Sequence, residues 1–131
     1  MQNNNPKLKT DLKRRVYFYA LEIIKFIDNL DKKDFIVQII TKQLLRSATS
    51  IGANIIEAQA GSTKRDFTNF FAYALKSANE SKFWLGLLRD SGKANRELVN
   101  ILLQETNELA NILGSSILTL KGKKKKDRRL R

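Results

Sequence analysis

Leu44 to Gly92, LLRSATSIGANIIEAQAGSTKRDFTNFFAYALKSANESKFWLGLLRDSG, decides the fold. Before Gly61, Leu44, Ala48, Ile51 and Ile55 recur at steps of three and four residues, continuing a stripe that starts at Val37 and Ile40. After it, Phe67, Phe70, Phe71, Ala74, Leu75, Ala78, Leu85 and Leu88 keep the same period, which is the mark of an amphipathic helix. Only GST separates the two stripes. Thr63 suits the N-cap of the second helix, with Asp66 three residues on in place of the usual Glu or Gln of a capping box. DSGK closes that helix, and Gly92 suits its C-terminal turn. Two long helices joined by so short a break must lie antiparallel as neighbours.

Outward from this hairpin the pattern repeats. A first helix is expected over about Asp11–Asn29, with Leu12, Val16, Tyr19, Ala20, Ile23, Phe26 and Ile27 on one face and Leu30 beyond. It ends in DNLDKKD, whose Asp28, Asp31 and Asp34 read as capping acids, because they match no calcium loop and enclose no glycine turn. The second helix runs over about Lys33–Ala60. A fourth is expected over about Ala94–Leu120 on Leu98, Ile101, Leu102, Leu109, Ile112, Leu113, Ile117 and Leu120. The single proline, Pro6, precedes them all. The expectation is an all-α, antiparallel, up-down-up-down four-helix bundle over 11–120, with a flexible segment at 1–10 and a disordered basic tail at 121–131. At 1.5 Å per residue, helices 2 to 4 span about 40 Å each, so the bundle is long and thin.

The chain has more apolar residues than those stripes need. Tyr17, Phe18, Leu21, Ile24, Ile39, Leu45, Ile56, Phe83 and Leu87 fall outside them. Either they widen the core or they form patches that copies of the chain bury against one another; a homo-oligomer is the expectation. Ser47, Ala48, Ser50, Gly52 and Ala53 make one stretch of helix 2 slim enough for a neighbouring helix to come close.

Composition excludes several chemistries. With 131 residues, one core and one domain are expected. Cysteine and histidine are absent, so there are no disulfides, thiolate nucleophiles or imidazole ligands. GSTK at Gly61 to Lys64 lacks the first glycine of a phosphate-binding loop, and no carboxylate cluster suits phosphoryl transfer. A protein that is not an enzyme, with no cofactor and no metal, is expected. MQNNNPKLKT lacks the apolar core of a signal peptide, and no segment has the roughly 18 apolar residues of a membrane span, which points to the cytoplasm and away from membranes. The net charge is +12, of which Lys121, Lys123, Lys124, Lys125, Lys126, Arg128, Arg129 and Arg131 against Asp127 supply +7. Such a balance implies an anionic partner.

Leu44 to Gly92 also resembles the four-helix-bundle family that includes proteins encoded by intervening sequences in bacterial 23S rRNA genes. The likeness rests on SIGANIIEA (Ser50 to Ala58), RDFTNFF (Arg65 to Phe71) and ESKFWLGLLRDSG (Glu80 to Gly92). It implies a homopentameric barrel with basic surfaces that contact nucleic acid. Because a related protein is the accessory factor of the reverse transcriptase of diversity-generating retroelements, it also implies a reverse transcriptase as a partner. Five copies of a +12 chain carry +60, enough to draw RNA backbone non-specifically and with steep salt dependence.

The candidate contacts are accordingly basic: Lys42 and Arg46 one turn apart on helix 2, Lys64 and Arg65 opening helix 3, Lys82 and Arg89 seven apart, and the tail's Lys121, Lys123, Lys124, Lys125, Lys126, Arg128 and Arg129. Each alone reads as a solvated charge; repetition around a ring changes that. Asn54 and Glu57, a turn apart in the family-like motif, read as structural. Trp84 reads as a packing residue, and Tyr73 beside it as another aromatic able to pack or to stack on bases. The expected function is a non-enzymatic scaffold for RNA or an RNA-DNA hybrid. A protein-protein adaptor with no nucleic-acid ligand is the alternative.

Overall fold

The computed structural model describes residues 6–61 and 63–129, with side chains described over 11–61 and 63–122. Four helices follow in order: α1 (Pro6–Asp28), α2 (Phe35–Ala60), α3 (Lys64–Asp90) and α4 (Arg96–Arg129), with no strand among the described residues. Each packs on its chain neighbours and α1 closes on α4, as an antiparallel four-helix bundle requires. The α2–α3 pair is the most intimate and α1–α4 the loosest.

Two helix ends fall outside their expected positions. α1 begins at Pro6 and not near Asp11, because proline at the first helical position gives up no backbone hydrogen bond. α4 runs beyond Leu120 to Arg129, through most of the stretch expected as a disordered tail. Lysine and arginine are good helix formers, and their charge suits the negative end of the helix dipole. The other ends are built as their residues suggest. Asp34 caps α2, its Oδ1 accepting from the Ile36 and Val37 amides at 2.9 and 3.2 Å. Thr63 Oγ1 accepts from the Asp66 amide at 3.0 Å. After α3, the Gly92 amide donates to Arg89 O and the Lys93 amide to Leu88 O, with Gly92 at φ +74°: a Schellman turn.

The core holds Val16, Tyr19, Ile23, Leu44, Ala48, Ile51, Ile55, Phe71, Ala74, Ala78, Leu85, Leu88, Val99, Leu109 and Leu113 among others. The slim stretch of α2 works in two directions. Ser47 meets Ser81 of α3, with Ala48 and Ala78 both buried, while Gly52 faces α1, where a Cβ would stand 3.4 Å from Val16 Cγ2. Ala53 points outward.

On α4 the buried face is rotated from the expected one. Leu98 and Ile101 are 54% and 65% exposed, whereas Val99 and Thr106 are fully buried. An apolar-only stripe leaves a seven-residue gap between Leu102 and Leu109; Thr106 fills it, giving Val99, Leu102, Thr106, Leu109, Leu113 and Ile117 an unbroken three-and-four spacing.

Thr106 belongs to a buried polar cluster that takes one hydroxyl from each helix. Tyr19 Oη lies 2.7 Å from Thr106 Oγ1, and Ser47 Oγ lies 2.8 Å from Ser81 Oγ. Thr106 spends its own proton on Leu102 O at 2.7 Å, so Tyr19 is the donor to it. Ser81 has Ser77 O at 2.9 Å and Ser47 has Leu44 O at 3.2 Å as backbone acceptors, so each serine is satisfied by the other and by its own helix. Burial, the largest influence, pushes the Tyr19 hydroxyl up to about 12, while the neighbouring hydroxyls of Thr106 and Ser81 act the other way.

Candidate nucleic-acid interface

The structure distributes the expected basic contacts over three regions. Lys42 and Arg46 lie exposed on the outer face of α2, midway along the bundle. Lys42 forms no ion pair among the described residues, but Arg46 reaches Gln43 Oε1 on its own helix and Glu80 Oε2 on α3. Glu80 also accepts from Trp84 Nε1 at 2.9 Å, so this arginine is held across the α2–α3 seam and largely neutralised. Lys82 and Arg89 share the side of α3 that faces α4. Lys82 is half-buried, while Arg89 pairs with Asp90 at 2.9 Å and donates to Asn100 Oδ1 on α4 at 2.8 Å. Asp90 raises the Arg89 pKa and Arg89 lowers that of Asp90, as mutual stabilisation of the two charged forms demands.

Lys64 and Arg65 are exposed at the start of α3, and Lys121 is exposed near the far end of α4; none of the three has an ion pair among the described residues. Lys123, Lys124, Lys125, Lys126, Arg128 and Arg129 lie on α4, but their side chains fall outside the described ones. The six body residues thus form no single patch, and two of the six are occupied by internal partners.

Asn54 donates from Nδ2 to Ser50 O at 2.8 Å, which ties it to its own helix; Glu57 is exposed and makes no hydrogen bond or ion pair among the described residues. Of the three acids at and after the end of α1, Asp34 also pairs with Lys93 at 2.7 Å, which chiefly holds its carboxyl below the usual range, while Asp31 accepts from the Lys33 amide at 3.0 Å. Among the described residues no group of three or more acids could hold a metal ion. No described helix is long and apolar enough to cross a membrane. Trp84 packs partly buried against the core, with Phe83 edge-on at 5.0 Å, and Tyr73 is 56% exposed.

Two features have no counterpart in the sequence reading. Arg15 bridges α1 to α4 with a two-pronged bond to Glu105 at 2.7 and 2.8 Å and a third to Glu108 at 2.9 Å, which raises its pKa. Beside it, α1 and α4 part to leave a cleft of about 380 Å³ lined by Arg14, Phe18, Tyr19, Glu22, Ile101 and Leu102 among others. Neither is visible in a helical period, because each depends on residues some 90 positions apart.

The described residues make an antiparallel bundle of four helices with a net positive charge, which defines the class as a small, basic, all-α four-helix-bundle protein. The chain matches the model of the 23S rRNA-intervening sequence protein family over residues 9–115, and it belongs to that family. It is also similar to a solved structure, the 1.70 Å crystal structure of a protein of unknown function of the S23 ribosomal protein family from Bacteroides thetaiotaomicron VPI-5482. The two are 38% identical with a TM-score of 0.73, over 81% of this chain and 97% of that one. No curated protein matches the chain.

Proposed function

We propose that the protein is a non-enzymatic, cytoplasmic scaffold that assembles as a homopentamer and holds nucleic acid, RNA in preference, through backbone electrostatics. The observation that carries the reading is the set of large apolar side chains left outside a core that is already filled: Tyr17 at 64% exposure, Phe18 at 55%, Ile56 at 50% and Phe83 at 59%. Side chains of this size left exposed on α1, α2 and α3 are most simply accommodated by further copies of the same chain. Assembly multiplies a +12 chain into a strongly positive particle. Lys42, Lys64, Arg65, Lys82 and Lys121 supply the charge not already compensated within the chain, together with the basic stretch to Arg129. Service as an accessory factor to a reverse transcriptase is the narrower proposal, and it rests on the family resemblance alone.

Light scattering on the purified protein should give a mass about five times 15.0 kDa. RNA retention should weaken steeply with salt, and removal of 121–131 should flatten that dependence. A single-chain mass with no salt-dependent retention would sink the proposal. The adaptor reading draws support from Arg46 and Arg89, whose charges are spent on Glu80 and Asp90. It would be favoured by an oligomer that ignores RNA.

A further inference from the structure

The up-down-up-down order gathers four separate basic stretches at one end of the bundle. Val16 lies against Gly52, Ser47 against Ser81, and Arg89 reaches Asn100, which fixes the relative heights of the helices. From the Arg89–Asn100 level, Lys64 lies about 37 Å back along α3 and Lys121 about 31 Å forward along α4, so the two arrive at nearly the same height. The start of α1 and the end of α2 meet them there.

Charge follows this geometry. Residues 6–14, 50–61, 63–72 and 112–129, which form that end, hold thirteen Lys and Arg against four Asp and Glu, a net +9. Residues 15–49 and 73–111, which form the other end, hold eleven against nine, a net +2. Pairing sharpens the contrast. Every ion pair among the described residues (those of Arg15, Lys25, Lys32, Arg46, Arg89, Lys93 and Arg96) joins partners within the second group. At the basic end Lys13, Arg14, Lys64, Arg65 and Lys121 have no such partner among the described residues, and α4 continues about 12 Å past Lys121.

We infer that this basic pole, and not the flanks of the bundle, is the principal seat of the nucleic-acid phosphate backbone. The inference rests on the nucleic-acid reading above and assigns it a place. Lys64 and Arg65 at the α2–α3 turn and Lys121 on α4 stand at this end, with Lys13 and Arg14 on α1 about 13 Å nearer the middle; all five are open to solvent, where phosphates can meet them. In a cyclic ring whose bundles run along the axis, rotational symmetry points every copy the same way, so all the poles fall on one rim. That rim is one continuous polycationic surface, while the opposite rim is nearly neutral.

The test is anisotropy titration of a fluorescent RNA hairpin over a range of NaCl concentrations, using the full chain. One variant carries Lys13→Gln, Arg14→Gln, Lys64→Gln and Arg65→Gln. A second removes the same charge from the other end, with Lys25→Gln, Lys32→Gln, Lys33→Gln and Arg96→Gln. All eight side chains are exposed, and thermal melts by circular dichroism confirm that both variants fold. The pole variant should lose about three from the slope of log affinity against log salt, and about a hundredfold in affinity at physiological salt. The second variant should stay close to the wild type. Equal losses in the two variants, or a loss confined to the second, overturn the pole while leaving nucleic-acid binding in place. A wild-type chain that ignores the hairpin overturns the nucleic-acid reading itself. Pole-dependent binding to phosphatidylserine vesicles without RNA binding assigns the surface to a membrane and overturns the inference.

Discussion

Tyr19 shows what one residue adds to a helix face. Its place in the core was legible from the spacing Val16, Tyr19, Ile23, Phe26, but the purpose of its hydroxyl was not, because the acceptor is 87 positions away on α4. The same holds for Arg46, whose exposure follows from the period and whose capture by Glu80 does not. The buried cluster of Tyr19, Ser47, Ser81 and Thr106 gives each helix one polar group that is satisfied at one height only, a means of fixing register in a core otherwise tolerant of sliding. Tyr19→Phe removes a donor and strands no other, since Thr106 still donates to Leu102 and Ser81 to Ser77; the expected loss near neutral pH is about 1 kcal/mol. The variant should differ more in alkali. The folded hydroxyl titrates near 12 and the unfolded one near 10, so the folded state keeps its proton longer and stability falls as pH rises through that window. The wild type should lose about 2 to 3 kcal/mol more than Tyr19→Phe across it, read from urea midpoints of both proteins at neutral and alkaline pH. Parallel alkaline curves for the two would refute the assignment.

At the level of elements, the ends of α2 and α3 were readable because capping is local: Asp34, Thr63 and Gly92 each act within four residues of themselves. The face of α4 is not legible because a threonine does the work of a leucine there, the start of α1 because proline opens a helix without loss, and the end of α4 because charge alone does not stop a helix. Two glycines separate local rules from packing. Gly92 sits at φ +74° with open space around its Cβ position, so Gly92→Ala pays only backbone strain, about 1 to 2 kcal/mol. Gly86 lies inside α3 with nothing within 4 Å, so Gly86→Ala should stabilise by about 0.5 to 1 kcal/mol through the entropy of the unfolded chain. Thermal melts should move in opposite directions. Shifts of the same sign would mean that the turn after α3 tolerates a side chain or that Gly86 is needed bare against a partner.

For the whole molecule, the number and order of helices were legible, as was the presence of surplus apolar surface. Its arrangement was not, because it depends on which helices lie side by side. Tyr17, Leu21 and Ile24 run along α1 at steps of four and three, and Leu45, Thr49, Gly52 and Ile56 along α2 at steps of four, three and four. The approach of Val16 to Gly52 sets these stripes on either side of one seam, with Ile24 41%, Leu45 39% and Ile56 50% exposed. A seam of this kind accepts a helix of a neighbouring copy, apolar side chains from both stripes closing over it. Ile24→Glu with Ile56→Glu places two charges in that contact without touching the core of the single chain. The double variant should keep its helical circular dichroism while light scattering reports one chain in place of the assembly. Ile23→Glu is the contrast: one position away but fully buried, it should unfold the bundle by leaving an unpaired charge in the core. A double variant that keeps the wild-type mass would move the contact to another exposed apolar face, such as that of α3, which carries Tyr73, Phe83 and Leu87.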